Sequence, residues 1–133
     1  MQLPFQTESE WQRVLSQSKA GFYSFVAEIE DRLVGHCAIE HNQRPRLAHI
    51  ATFGIAVHDD HQGLGVGSQL IKSAVELMDN WLQVKRIQIE VMVDNQPAIA
   101  LYEKFGFTIE GQAQSSVFRQ GEYVDTYYMA RIV

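Results

Sequence analysis

The order of apolar and polar positions along the chain predicts an alternation of strands and helices. Thr7 and Glu10 make a capping box, and Trp11, Val14 and Leu15 form one apolar face behind it, which predicts a short amphipathic helix over about 8–18. Residues 22–29 and 33–40 are strand-like runs split by the polar Glu30-Asp31-Arg32, the pattern of an antiparallel hairpin. A third strand over about 47–57 follows the Arg44-Pro45 turn and carries His49. Its stretch 50–57 is almost wholly apolar, which predicts burial on both faces and a central position. Glycines at alternate positions then precede a helical stripe of Leu70, Ile71, Ala74, Val75, Leu77, Met78 and Leu82. Residues 86–93 alternate into another strand, in which Ile87, Ile89 and Val91 oppose Gln88, Glu90 and Met92. Asn95 caps a helix with Pro97 in its first turn, running to about Lys104 and ended by Gly106. From Phe107 the pattern is a strand, then a hairpin with arms over about 112–119 and 123–132, joined through Gln120-Gly121-Glu122. The fold class predicted is a mixed α/β sheet with helices on its faces.

Composition narrows the function classes. The 133 residues, 46% hydrophobic and 20% charged, suit one soluble domain spanning 1–133, without repeats or a linker-like stretch. The formal charge of −5 gives no basic field for a phosphate backbone, so nucleic acid is not expected as a partner. Cys37 is the only thiol, which excludes an internal disulfide and a thiolate zinc site and fits a reducing compartment. His36, His41, His49, His58 and His61 are scattered without carboxylates at ligand spacing, so no metal is expected. With no basic leader and no apolar run of about 18 residues, a cytoplasmic protein without a membrane partner is expected.

The segment Gln62-Gly63-Leu64-Gly65-Val66-Gly67 lies between an apolar strand and an amphipathic helix. Glycines there let backbone N–H groups approach an anion at the positive end of a helix, which suits phosphate or pyrophosphate. A tight strand-to-helix turn is the plainer alternative. No Lys-Ser/Thr pair follows, and the Gly63-Gly65-Gly67 spacing misses the dinucleotide fingerprint, so neither ATP nor NAD is indicated.

Gln62, Gly65 and Gly67 match the Q/R-x-x-G-x-G/A signature of the GCN5-related N-acetyltransferase superfamily, which the sequence resembles. The run from Asn95 to Phe107 looks like that superfamily's N-x-x-A-x-x-L-Y-x-x-x-G-F segment. The likeness extends from about Leu33 to the C-terminus. It is nearest to bacterial L-amino-acid N-acetyltransferases of the YhhY type, through Gln43-Arg44-Pro45-Arg46, Asp79-Asn80-Trp81-Leu82, Val93-Asp94-Asn95 and the segment 119–125.

The resemblance implies a mostly antiparallel sheet whose central parallel strand pair splays apart to admit the pantetheine arm of acetyl-coenzyme A, which pairs with backbone as an added strand would. Ile55, Ala56 and Val57 match the strand supplying that backbone. Gln62, Gly63, Leu64, Gly65, Val66, Gly67 and Ser68 match the pyrophosphate-binding turn, and Asn95 would offer its amide to the pantetheine or the adjacent cleft. Lys72 stands one turn into the helix, where it would add a charge near the phosphates or simply be solvated.

Acetyl transfer requires the acceptor ammonium to lose a proton, the thioester oxygen to be stabilised and the leaving thiolate to be protonated. Glu90 stands five residues before Asn95, where ribosomal-protein N-acetyltransferases of the superfamily carry their catalytic glutamate, and is the expected base, directly or through water. An exposed strand glutamate is the alternative, and His49 is the second candidate base. A backbone N–H near Ile55 would serve the oxyanion. Tyr102 matches the family's general acid, although an aromatic beside Ala98, Leu101 and Phe105 also reads as core. Arg44, Arg46 and Arg119 are candidates for a substrate carboxylate, and Tyr123, Asp125 and Tyr127 for a wall of the acceptor site. Cys37, in an apolar strand, is given no role.

Two departures from the family pattern bear on the expectations. The family's usual first strand and helix are expected to have no counterpart, which would open the acceptor pocket and leave 22–29 as a sheet edge suited to homodimer formation. Thr52 stands where the YhhY-type relatives carry an acid. The expected function is acetyl transfer from acetyl-coenzyme A to a small-molecule primary amine, a free L-amino acid or related metabolite, in a ternary complex. The alternatives are acetylation of a protein N-terminus, as on ribosomal proteins, and a non-catalytic acyl-coenzyme A sensor.

Overall fold

The computed structural model describes residues 11–58 and 65–133. Packing divides the chain into two compact units, Met1–Val84 and Lys85–Val133. In the first, strands β1 (Trp11–Lys19), β2 (Phe22–Ile29), β3 (Arg32–His41) and β4 (Ile50–Val57) pair in sequence order, each antiparallel to the next. A 3-10 turn, Pro45–Leu47, precedes β4, and helix α1 (Val66–Asn80) follows it. The second unit holds β5 (Arg86–Met92), α2 (Gln96–Lys104), β6 (Thr108–Arg119) and β7 (Glu122–Ile132), with β7 between β5 and β6 and both pairings antiparallel. The class is the mixed α/β, mostly antiparallel one expected. Among the described residues no helix is long and apolar enough to cross a membrane.

The first core forms where α1 packs on β3 and β4. Leu70, Ile71, Ala74 and Met78 are fully buried, as are Phe25, Ala27 and Cys37 from the strands. Gly35 is small for a reason: a Cβ there would stand 2.9 Å from Leu70 Cδ1 and 3.0 Å from Val66 Cγ1. Burial at Cys37 pushes its thiol up to about 12, which makes it inert as expected. In the second unit Ile87, Ile89, Val91, Ile99, Phe107 and Met129 are buried, so the alternation along β5 does direct Glu90 to the exposed face.

Several sequence expectations are corrected. Residues 11–19 form β1 and not a helix; residues 8–10, with the capping box, lie outside the described residues. The turn at Ala20-Gly21 folds this segment back on β2, with Trp11 opposite Ile29 and Lys19 opposite Phe22. Pairing supplies hydrogen bonds to the backbone edge of β2, which an amphipathic helix would have left open. The edge expected at 22–29 is therefore covered, and with it goes the reason given for a homodimer. Strand β4 is buried on one face: Ala51 and Phe53 point inward, while the small Gly54 and Ala56 are exposed. Its apolar run is thus an ordinary alternation with small residues on the outer side. His49 lies in the turn before β4, exposed, and not on the strand. The strand from Phe107 and the hairpin arm are one strand, β6, whose register on β7 shifts between Ile109 and Gly111 and again between Ala113 and Val117. Gln120 and Gly121, at φ 51° and 82°, make the two-residue turn, and Glu122 already pairs with Arg119.

Gly21 carries both a left-handed φ of 84° and a close approach: its carbonyl accepts His41 N–H at 2.7 Å, and a Cβ would lie 2.5 Å from His41 O. Gly21→Ala is expected to cost about 2–3 kcal/mol, from left-handed strain and overpacking. Thermal unfolding would then show Tm lowered by roughly 10 °C. An unchanged Tm contradicts the close approach.

Candidate active site

Strand β5 and helix α2 position the second unit's chemistry. Asn95 N–H donates to Met92 O at 3.0 Å, closing the turn after β5, and Asn95 Oδ1 accepts Ala98 N–H at 3.3 Å as the helix cap. Gln96 Nε2 ties the turn to Val93 O at 3.0 Å. The cap uses the oxygen of Asn95, so the Nδ2 hydrogens are the part of that amide suited to donate to a ligand. The cap also fixes the helix phase. Ala98 and Tyr102, four residues apart, share a face and line a pocket of about 570 Å³ with Glu90, Val91, Met92, Asn95, Ser116, Val117 and Thr126. The Tyr102 ring rests against buried Phe107, centroids 5.8 Å apart.

The pocket thus brings together three residues singled out from sequence, Glu90, Asn95 and Tyr102. It also brings two that were missed. Thr126 Oγ1 and Ser116 Oγ donate to the same Glu90 oxygen, Oε2, at 2.6 and 2.7 Å. Those two donors, Thr126 first, hold the Glu90 carboxyl below its ordinary range, against a smaller opposing effect of burial. Thr126 was legible only through register: it pairs with Met92, whose alternation puts it on the Glu90 face. Nothing in the sequence marks Ser116.

Other candidates lie apart from this pocket. Arg119 grips Asp94 with both nitrogens, Nη1 to Oδ1 at 3.2 Å and Nη2 to Oδ2 at 2.5 Å, and Nη1 also donates to Met92 Sδ at 3.2 Å. That grip keeps Asp94 below the usual carboxylate range and engages the arginine proposed for a substrate carboxylate. Tyr123, Asp125 and Tyr127 do not line the pocket, because Tyr127 pairs with Val91 and so all three alternate to the face opposite Glu90 and Thr126. Among the described residues no group of His, Cys, Asp and Glu is arranged to hold a metal ion.

In the first unit, Gly65 caps α1 at φ 81°, and a Cβ there would meet nothing within 4 Å. Val66 is buried, while Gly67 and Ser68 are half-buried. Helix geometry leaves the first-turn N–H groups without intrahelical acceptors, and no acidic residue stands in that turn, so this end suits an anion. Gln62, Gly63 and Leu64 lie outside the described residues. Ile55, Ala56 and Val57 pair with Cys37, His36 and Gly35 of β3, and Lys72 is exposed. Arg44 and Arg46 are exposed beside the 3-10 turn.

Thr126→Val is expected to raise the Glu90 titration toward the ordinary glutamate range in a carboxyl-detected NMR titration. Since Glu90 is depressed when folded, the stability it adds is present above its unfolded pKa and lost as pH falls through the folded value; the variant shrinks that contribution. An unmoved titration contradicts the hydrogen bond.

The acetyltransferase (GNAT) family model matches residues 2–107. The chain is 46% identical over 132 residues to the L-amino acid N-acetyltransferase AaaT of Escherichia coli K12, covering 99% of this chain and 81% of that protein. It is 33% identical over 126 residues to an N-alpha-acetyltransferase of Sulfurisphaera tokodaii, covering 87% and 71%. A crystal structure of a GNAT-family acetyltransferase from Streptococcus pneumoniae superposes with a TM-score of 0.80 at 29% identity, over 87% of this chain and 70% of that one. The family motifs read around Gln62 and along 95–107 therefore have their expected origin, and the chain belongs to the GNAT family of acetyl-coenzyme A-dependent N-acetyltransferases.

Proposed function

We propose that residues 1–133 act as one catalytic domain that moves acetyl from acetyl-coenzyme A directly to the amine of a free L-amino acid in a ternary complex, in the cytoplasm. The observation that carries this reading is the convergence of Glu90, Asn95 and Tyr102 on one pocket, whose volume lies within the ordinary range for small-molecule sites. The identity with AaaT supports the amino-acid acceptor. A covalent acetyl-enzyme is disfavoured because Cys37, the chain's one thiol, is buried and held protonated.

Each residue then has a task. Tyr102 donates its phenolic proton to the departing sulfur; with pKa values of about 10 for phenol and 8.5 for a thiol, the step is modestly uphill. Glu90, held ionised below the ordinary carboxylate range, is a weak base: an ammonium titrates far above any carboxylate, so direct proton transfer from it to Glu90 is uphill. Its task is accordingly to orient the ammonium or a water that carries the proton away, which its exposed position permits. Asn95 donates from Nδ2 to the pantetheine. The N–H groups of Gly63, Leu64, Gly65, Val66, Gly67 and Ser68, with Gln62, hold the pyrophosphate, and the backbone of Ile55, Ala56 and Val57 pairs with the pantetheine arm, an N–H near Ile55 serving the thioester oxygen.

One observation favours a second acceptor class. Arg119 is already engaged by Asp94, which leaves Arg44 and Arg46 as the candidates for a free carboxylate, and a peptide N-terminus needs none. A thiol-release assay across L-amino acids, amine metabolites and short peptides decides. Turnover of amino acids is expected, with kcat lowered by about 100-fold in Tyr102→Phe and by about 10-fold or more in Glu90→Gln, and little change in KM for acetyl-coenzyme A. The acid limb of kcat/KM should follow the amine's own pKa and not that of Glu90. Turnover of peptides alone overturns the acceptor assignment, and full kcat in both variants overturns the residue roles.

A further inference from the structure

Across from Asp125 the β6 strand departs from regular pairing. Ala113 opposes Thr126 and Val117 opposes Val124, so three residues of β6, Gln114, Ser115 and Ser116, face the single Asp125 of β7. Ser115 takes a left-handed φ of 50°, uncommon for a residue with a side chain. Asp125 closes the bulge: its Oδ1 accepts Ser115 N–H at 2.8 Å and its Oδ2 accepts Gln112 Nε2 at 2.7 Å. In a regular strand Ser116, three residues from Ala113, would point to the face away from Thr126 and Glu90. In the bulge its hydroxyl reaches Glu90 Oε2 at 2.7 Å.

From this geometry we infer that Asp125 is a positioning residue for the acetyl-transfer site: from the opposite face of the sheet it clamps the 114–116 bulge, and the bulge aims Ser116 at Glu90. The catalytic consequence rests on the role proposed for Glu90 above. Asp125 does not itself line the pocket, so it acts through the backbone of Ser115 and the hydroxyl of Ser116. Among the described residues, the titratable and charged groups placed near Glu90 include Tyr128, directly across on β7; Tyr102, from α2; and the Arg119–Asp94 pair, which touches Met92 two residues along β5. The partners of Asp125 in the clamp are Ser115 and Gln112.

The test uses the full chain with Asp125→Ala, Asp125→Asn, Ser116→Ala and the Asp125→Ala/Ser116→Ala double variant. Asparagine retains an acceptor for Ser115 N–H and, with the Gln112 amide turned, a partner for that side chain, so Asp125→Asn should stay near wild type. A Glu90 titration displaced in Asp125→Asn as far as in Ser116→Ala overturns the clamp. In carboxyl-detected NMR, Asp125→Ala is expected to raise the Glu90 titration as Ser116→Ala does, with the double variant no further displaced than Ser116→Ala alone. The kcat should fall by about 3-fold to 10-fold in Asp125→Ala, Ser116→Ala and the double variant, at unchanged KM for acetyl-coenzyme A. A wild-type Glu90 titration in Asp125→Ala, or effects that add in the double variant, overturns the positioning role. Full kcat in Glu90→Gln overturns instead the task given to Glu90; the titration tells the two failures apart, since it reads the hold on the carboxylate whether or not that carboxylate serves the amine.

Discussion

The site depends first on the two-residue period of β5. Burying Ile87, Ile89 and Val91 in the core of the second unit obliges Glu90 to stand on the other face, where Thr126 shares its side of the β5–β7 pair. A slip of one residue would bury the carboxylate and expose three branched side chains, so the register that stabilises the core also fixes the carboxylate. Asn95 adds the second constraint. Its cap starts α2 at Gln96, and the helical repeat then brings Ala98 and Tyr102 to the pocket that Glu90 lines.

The electrostatics follow from these placements. Two hydroxyl donors on one carboxylate oxygen favour the charged form of Glu90, and little burial opposes them. Such a carboxylate is suited to holding a cation or ordering water and poorly suited to retaining a proton. The proton donor proposed above is accordingly Tyr102, whose ring is backed by buried Phe107. The tasks proposed for the Glu90 carboxylate and the Tyr102 hydroxyl are complementary, and ordinary sheet and helix geometry places both groups on one pocket.

What the sequence made legible was whatever obeys a local rule. The exposed side of Glu90, the Asn95 cap, the end of α2 at Gly106 and the Gln120-Gly121 turn each follow from a short motif or a period. The strand at 11–19 was illegible because its apolar positions also fit a helix, and the edge of β2 that it satisfies is a feature of the folded sheet. The outer face of β4 was misjudged because Gly54 and Ala56 are apolar yet small, so an apolar run concealed an alternation. Ser116 was hidden for the opposite reason: the bulge breaks the period on which face assignments rest.

The most direct test of the central claim, that the Glu90–Asn95–Tyr102 pocket is where acetyl transfer occurs, is a crystal structure with coenzyme A and an L-amino acid bound. The coenzyme sulfur is expected within hydrogen-bond reach of Tyr102 Oη and the acceptor amine facing Glu90, directly or across one water. A sulfur bound away from Tyr102, with Glu90 turned from the amine, contradicts the claim.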